Sequence, residues 1–574
     1  MKHRLWGMIV FGLLVLGVSG GMAQSPSFSL DHWVYSFLDR LKAKHLLPAL
    51  FPNTKPYTRY QIAKALVPVI QNSQAADLTR VERQQLAFLQ YELREEFDRL
   101  GVEASGSEDS HLRFLTRRVP LVRRIFPFFF ANGRDLAEIS SGDFRLFLNP
   151  VFHLHSRRRD YDYRPDRTIV RERHGIWFWG WWGKWVQFYF HFRDGTEWGG
   201  EYPAYNPNWS FERVGLANAR GRLVFFDETQ SGIYVGRPDR WVMLGRERNR
   251  WGPGRTGALA LSDWATAYDQ LKMQFAWKKV LYTWVMGVLK SYPPIAARTY
   301  ETGTTTRIVH ASKFFVGHRL EFAPVSWAVV GLHELVVWGE RGLEIGYLNP
   351  LNFYWSAEHN LGDQDNAVMG LDVTLYPGWK LKLYGEIFLD DLQTGRLGTG
   401  YYGNKWAFLV GGSRYDLFGL ANLDLHGEWV RIRPFVYSHR FPINIYKHFT
   451  STLGHWAGPN GEVVDMALRW QPRRRLFLQG NWQLYRHGAN RPGENAGGDM
   501  NQPHTINDPL YVRFLGGILE ETQTTGLEMR YEILRNAFLT FALQWISRKN
   551  DPIGEEMRGS GKEVQVFLGV SWNE

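Results

Sequence analysis

From about residue 140 to the C-terminus the chain alternates apolar and polar side chains with a period of two. In "WKLKLYGEIFLDD" Trp379, Leu381, Leu383, Ile387 and Leu389 fall on one face, and Lys380, Lys382, Tyr384, Glu386 and Asp390 on the other. "NLDLHGEW" sets Leu423, Leu425 and Trp429 against Asn422, Asp424, His426 and Glu428. "RLFLQGNWQLY" and the terminal "EVQVFLGVSW" repeat the pattern, the latter with Val564, Val566, Leu568, Val570 and Trp572 on one face. Period two belongs to strands whose two faces meet different surroundings. Many of these runs begin or end in Trp, Tyr or Phe, with Gly, Asp, Asn or Pro turns between them. Strands of ~9–11 residues with aromatic ends fit a transmembrane β-barrel better than a soluble sandwich. At roughly 24 residues per strand and its share of loop, residues 141–574 hold about 18 antiparallel strands.

Residues 24–105 follow a helical period instead. Asp31 is placed to cap a helix whose apolar face is Val34, Phe37, Leu38 and Leu41. Thr58 with Gln61 forms a capping box before Ile62, Leu66, Val69 and Ile70, and Pro68 is expected to kink or shorten that helix. Thr79 with Glu82 forms another, followed by Leu86, Leu89, Leu93 and Leu100. Three short amphipathic helices cannot each bury a face alone, so they predict a small helical bundle, periplasmic in an outer-membrane protein. Residues 106–140 read as a linker, first small and polar, then alternating arginines with aromatics in "RFLTRRVPLVRRIFPFFFANGR". That segment suits a lipid interface, a strand or a lumenal plug equally.

The first residues, "MKHRLWGMIVFGLLVLGVSGGMAQ", have the charged start, apolar core and small-residue end of an export signal over 1–23. Nothing after it reads as a membrane-spanning helix. No cysteine is present, which excludes disulfides and cysteine-based metal or redox sites and suits a bacterial envelope. Aromatics are 15% of the chain, yet the mean hydropathy is −0.33, the combination that one greasy and one wet face produce. A net charge of +11 favours acidic partners, anionic glycans or lipid phosphates, and export makes nucleic acid an improbable one.

The densest candidate chemistry is "GRERNRWGPGRTGALALSD", Gly245 to Asp263. Its glycines lack the Gly-Lys-Ser/Thr ending and the strand-to-helix context of a phosphate loop. It reads as a strand, Trp241 to Arg250, running into a tight turn or inward-folded loop at Gly252-Pro253-Gly254. Alternation puts Arg246, Arg248 and Arg250 on one face. Each would cost ~2–4 kcal/mol facing lipid at mid-membrane, so they are expected to line the lumen. There they either form a salt-bridge network with Glu334, Glu386 and Asp390, or grip carboxylate or phosphate groups of a ligand; the two can coexist. Arg255 belongs with the same set. Enzyme signatures fail one after another. His333-Glu334 starts a zincin-like string that Val337 breaks, no Gly-x-Ser-x-Gly elbow occurs, and Asp390-Asp391 fits a strand entering a polar turn. His153 and His155 share a face but are only two. "LGDQDNAV" lacks a full calcium-loop spacing. No catalytic or metal site and no cofactor is expected.

Four segments carry a family resemblance: "GRERNRWGPGRTGALALSD", "VGHRLEF", "LHELVVWGERGLEIGYLNPLNFY" and "DNAVMGLDVTLYPGWKLKLYGEIFLDD". With them the chain resembles the Wzi family of capsule assembly proteins across most of 140–574. The resemblance implies a non-enzymatic outer-membrane barrel with a periplasmic helical bundle, a lectin that helps attach capsular or other surface polysaccharide. By matching motif it singles out Arg250, Trp251, Glu334, Asn366, Tyr384, Glu386 and Asp390. The expected partners are an acidic polysaccharide and outer-membrane lipid, with the protein a monomer. An alternative is a diffusion channel for small or anionic solutes. "HWVYSFLDRLKAKHLL" and "TKPYTRYQIAKAL" also resemble an S-layer-homology unit, which implies contact with peptidoglycan or another wall polymer, against the plainer reading of a plug or scaffold.

Overall fold

The computed structural model describes residues 25–47, 50–71, 77–103, 132–163, 165–200, 208–211, 214–552 and 558–573. The export signal and most of the segment read as a linker lie outside these residues. Eighteen antiparallel strands close a barrel. Its first six are β1 (Phe144–Tyr161), β2 (Arg167–Trp182), β3 (Val186–Trp198), β4 (Leu223–Arg237), β5 (Arg240–Glu247) and β6 (Tyr268–Trp277). The next six are β7 (Val280–Leu289), β8 (Lys313–Val325), β9 (Ala328–Gly339), β10 (Asn366–Gly378), β11 (Leu381–Asp391) and β12 (Lys405–Arg414). The last are β13 (Leu423–Ile432), β14 (Gly461–Arg473), β15 (Leu476–Ala489), β16 (Ile518–Leu534), β17 (Ala537–Pro552) and β18 (Arg558–Trp572). β18 closes on β1 through the register Trp572↔Phe152 to Glu563↔Tyr161.

The two ends of the barrel differ. At one end neighbours are joined by tight turns such as 238–239, 278–279, 326–327, 379–380, 474–475 and 535–536. At the other end the connections are long, among them 199–222, 248–267, 340–365, 433–460 and 490–517. The alternation holds as expected. Leu383, Ile387, Trp429 and Leu568 are exposed on the outer wall, whereas Lys382, Tyr384, Glu386 and Glu428 are buried in the lumen.

The N-terminal helices close the tight-turn end. They are α1 (Val34–Ala43), α2 (Arg59–Gln71), α3 (Arg80–Glu92) and α4 (Arg94–Arg99). Val34, Phe37, Leu38 and Leu41 pack with Ile62, Leu66, Val69, Leu86 and Leu89 into one core, against which Phe477 and Phe538 of the barrel also lie. Both capping boxes form: the Thr58 N–H donates to Gln61 Oε1 at 2.9 Å, and the Glu82 N–H donates to Thr79 Oγ1 at 3.1 Å. α2 runs through Pro68 to Gln71. Asp31 does not cap α1. Its carboxylate is taken by Arg248 of the lumen at 2.9 Å. Ion pairs bolt the bundle to the wall: Arg40 reaches Asp416 and Asp424, and Arg535 in the β16–β17 turn donates to Glu92 at 2.9 and 3.0 Å.

One buried cation in the bundle has a pH signature. Burial pushes the Lys42 ammonium down from 10.5 to about 8, against the opposing pull of Glu321 and Asp39 and with Lys382 adding to it. Unfolded, this lysine holds its proton up to about 10.5; folded, it releases it at about 8. The unfolded state therefore binds more protons across that window, and the fold gains stability as pH rises through it. Thermal melts followed by the helical circular-dichroism signal should show this gain, and Lys42→Met should diminish it. An unchanged slope in the variant would refute the assignment.

Candidate functional site

The segment from Arg248 to Ala267 leaves the wall and folds into the lumen. The β5 ladder stops at Glu247, and Glu247, Arg248 and Asn249 are buried in succession, so the in–out alternation ends there. Arg250–Trp251 then pairs with Thr54–Lys55 of the N-terminal domain. Gly252 bends the chain at φ +137°, and a Cβ there would lie 2.6 Å from Glu386 Oε2, so only glycine fits. Arg250 wraps its own loop: its guanidinium donates to the carbonyls of Gly254 and Arg255, the latter at 3.2 Å, and meets Asp263 at 3.4 Å. Trp251 is fully buried with Leu259, Leu261, Phe315, Leu335, Leu409 and their neighbours in a dry cluster inside the barrel.

Inward carboxylates hold this loop by its backbone. Glu386 accepts from the N–H groups of Leu259 and Ala260 at 3.0 and 3.1 Å. Glu428 accepts from the N–H groups of Arg255 and Thr256 and from the Tyr384 hydroxyl, the last two both at 2.8 Å. Arg255 pairs with Asp465, its Nε donating at 2.9 Å. Asp390 accepts from the N–H of Tyr437 at 2.6 Å, and so holds the second inward loop, 433–460. The two loops are tied together, Tyr437 and Tyr446 donating to the carbonyls of Leu259 and Ala260 at 2.7 and 2.6 Å. Asn366 donates to the Asn444 carbonyl at 2.9 Å. Tyr384, Glu386 and Asp390 thus stand two and four residues apart on β11 and clamp the plugging loops. Between the helices and the wall a cavity of about 350 Å³ remains, bordered by Arg250, Arg255, Lys382 and Arg469.

Two of the sequence-selected residues lie elsewhere. Arg246 sits on the outer face of β5, paired with the exposed Asp269 at 3.4 Å. It shares no face with Arg248 and Arg250, because the chain departs from the wall between them. Glu334 also points outward, buried beneath the β9–β10 loop, where it accepts from the N–H groups of Tyr354 and Trp355 at 2.9 and 2.6 Å. It takes no part in a lumenal network. His153 and His155 contact each other at 2.6 Å on the inner wall. Asp365, of "LGDQDNAV", accepts from the Tyr347 hydroxyl at 2.7 Å and from Arg341.

Sequence reasoning left out the anchor below the loop. Arg319 is fully buried and donates to Asp372 at 2.6 and 3.0 Å and to Thr54 at 2.9 Å. Asn53 donates to Asp372 at 2.8 Å and, through its N–H, to Glu321 at 3.1 Å. Arg319 lies within "VGHRLEF", where inward parity with Glu321 was the available signal.

The fold and this site define a closed, doubly plugged 18-stranded barrel with a membrane-type outer wall. Residues 239–557, more than half of the chain, match the family model "Capsule assembly protein Wzi", and the chain belongs to that family. Among solved structures it is similar to Wzi of Escherichia coli, an outer membrane protein involved in group 1 capsule assembly and a carbohydrate-binding β-barrel. Sequence identity is 14%, coverage is 96% of this chain and 99% of that one, and the TM-score is 0.52. Looser likenesses are OccK7 of Pseudomonas aeruginosa (9% identity, 74% and 98% covered, TM-score 0.41) and OprD of the same organism (10%, 74% and 93%, 0.39). A comparison with curated protein sequences gave no match.

Proposed function

We propose that this protein sits in the outer membrane with its tight-turn end and helical bundle in the periplasm. There it binds surface polysaccharide, capsule or exopolysaccharide, and helps assemble or attach it without catalysing a reaction. One observation carries the reading: the lumen is filled twice, by the helical bundle from one end and by the inward loops from the other. A polymer then meets a surface rather than a passage. The same double closure counts against a diffusion channel.

In this reading Arg248, Arg250, Arg255, Tyr384, Glu386 and Asp390 brace the plug, since each is bonded within the protein. The sugar contacts belong to the long-loop face, where Tyr402 stacks on His504 at 3.4 Å and Tyr511 lies edge-on to Tyr401, the Tyr402–His504 pair being backed by the buried Tyr401 and Phe435. Arg396 lies over Tyr401 at 4.2 Å, and Tyr511 is 58% exposed. Aromatic faces suit sugar rings, and neighbouring guanidinium groups suit uronic acids. The bundle acts as a stopper, and a wall polymer is not required for that role.

Purified full-length protein should bind its own organism's surface polysaccharide, less tightly as salt rises, and Tyr511→Ala should weaken that binding. Deleting the gene should leave synthesis intact and shed polymer into the medium. Loss of synthesis itself, or binding indifferent to Tyr511, would count against the reading.

A further inference from the structure

The outer wall is not bare everywhere. On β7, β8 and β9 the side chains of Trp284, Val316, Val336 and Trp338 have outward parity, like Leu320 and Leu332 further along the same strands. Leu320 and Leu332 are exposed, as lipid-facing residues must be, yet Trp284 is 1% exposed and Val316, Val336 and Trp338 not at all. Their cover is the β9–β10 connection, which carries two short helices, α5 (Ile345–Leu348) and α6 (Tyr354–Asn360), and lays Tyr347, Tyr354 and Ala357 against them. Polar pairing holds it down. Trp284 Nε1 donates to the Tyr354 hydroxyl at 2.9 Å, and His318 stacks on Tyr354 at 4.5 Å and meets Glu334 at 3.2 Å. A carboxylate on the lipid side of a barrel is costly in the open. Here the flap's own N–H groups satisfy it, so wall and flap require each other.

The flap's free surface carries large apolar side chains over 343–355, while the polar Asn349, Ser356, His359, Asn360 and Asp363 are exposed beside them. Leu343, Ile345, Leu351, Phe353 and Trp355 are exposed, Ile345 by 75% and Leu351 by 86%. The wall below it is too short for a bilayer by itself. The part of β8 beyond His318, residues 319–325, is roughly 18 Å tall at ~3.3 Å per residue and ~40° tilt, against an apolar band of ~25 Å. The missing height falls on the flap.

We propose that the β9–β10 connection is a lipid-facing flap, lying on the barrel's outer wall within the outer leaflet with Leu343, Ile345, Leu351, Phe353 and Trp355 packed on acyl chains. This rests on the membrane placement proposed above. It makes one stretch of the membrane-facing surface a loop instead of a strand face, tied to the wall where the Tyr354 and Trp355 N–H groups donate to Glu334 and the Pro350 carbonyl accepts from the Tyr282 hydroxyl, with further N–H groups bonded within its own helical turns.

The chain has no cysteine, so single labels can be placed cleanly. Full-length protein carrying an environment-sensitive fluorophore at Leu351→Cys is reconstituted into phosphatidylcholine vesicles with brominated acyl chains. Leu371→Cys on the outer face of β10 serves as the lipid reference, and Ile506→Cys, 98% exposed on a long loop, as the aqueous one. The Leu351 label should be quenched by brominated chains as the Leu371 label is, and lose the iodide quenching that the Ile506 label shows. Iodide quenching at the Ile506 level would overturn the proposal, as would protection from both quenchers, in which case disulfide-linked dimers of the unlabelled Leu351→Cys protein under mild oxidation would mark a contact between copies. Failure of the Leu371 reference would instead refute the membrane placement.

Discussion

Replacing Trp251 by alanine is expected to cost about 3–5 kcal/mol and to unseat the inward loop while the barrel persists. Trp251 is fully buried at the centre of the lumenal cluster, and it lies on the short strand that pairs with Thr54–Lys55. Truncation would empty a large volume in a region already pinned by the strands around it, so little collapse is available to reduce the loss. The barrel ladder does not pass through residue 251, so strand content should hold. Urea unfolding followed by circular dichroism, with limited proteolysis of residues 252–262, would report both effects. Arg246→Ala is the internal contrast. Its ion pair with Asp269 is exposed on the outer face, where such pairs contribute about 0–1 kcal/mol. Equal losses from the two substitutions would contradict this placement of the motif.

Arg319→Met should be comparably damaging, about 3–5 kcal/mol, through charge instead of volume. It strands Asp372 and Glu321, both fully buried, without the cation between them. The same two carboxylates hold Asn53 and Thr54, so the N-terminal domain should loosen from the lumen. Protease release of an N-terminal fragment from the intact barrel is the direct measurement. Adding Asp372→Leu should restore part of the stability, since replacing a buried pair by apolar groups is often near neutral. A double variant no better than the single one would mean that packing, not the orphaned charge, sets the cost.

The elements that were legible in the sequence are those written locally. Capping boxes at Thr58 and Thr79 involve residues three apart, and both form. Alternation placed Lys382, Tyr384, Glu386 and Asp390 inward because β11 stays in the wall over its whole length. The same rule failed at Arg246, Arg248 and Arg250 because parity holds only while the ladder continues, and here it ends at Glu247. Glu334 was misassigned for a different reason. Its outward face is covered by a segment ten to twenty-five residues further along, which no local period reports. A trace was present: "ELVVW" does not alternate, as a strand buried on both faces should not. The Arg319 anchor needs strands β8 and β10 together with residues 53 and 54, and their meeting is set by the closed ring.

The position of the N-terminal domain also favours one order of folding over another. The bundle precedes β1 in the chain, yet it is held by groups from β8 and β10, from the β12–β13 region and from the β16–β17 turn. It is enclosed only once β18 has met β1 along the seam from Trp572 to Glu563. A barrel that closed first would have to admit a bundle already tied by its own chain to the edge of the opening. The simpler sequence has the bundle folded beforehand and the strands laid around it, with the seam sealed last.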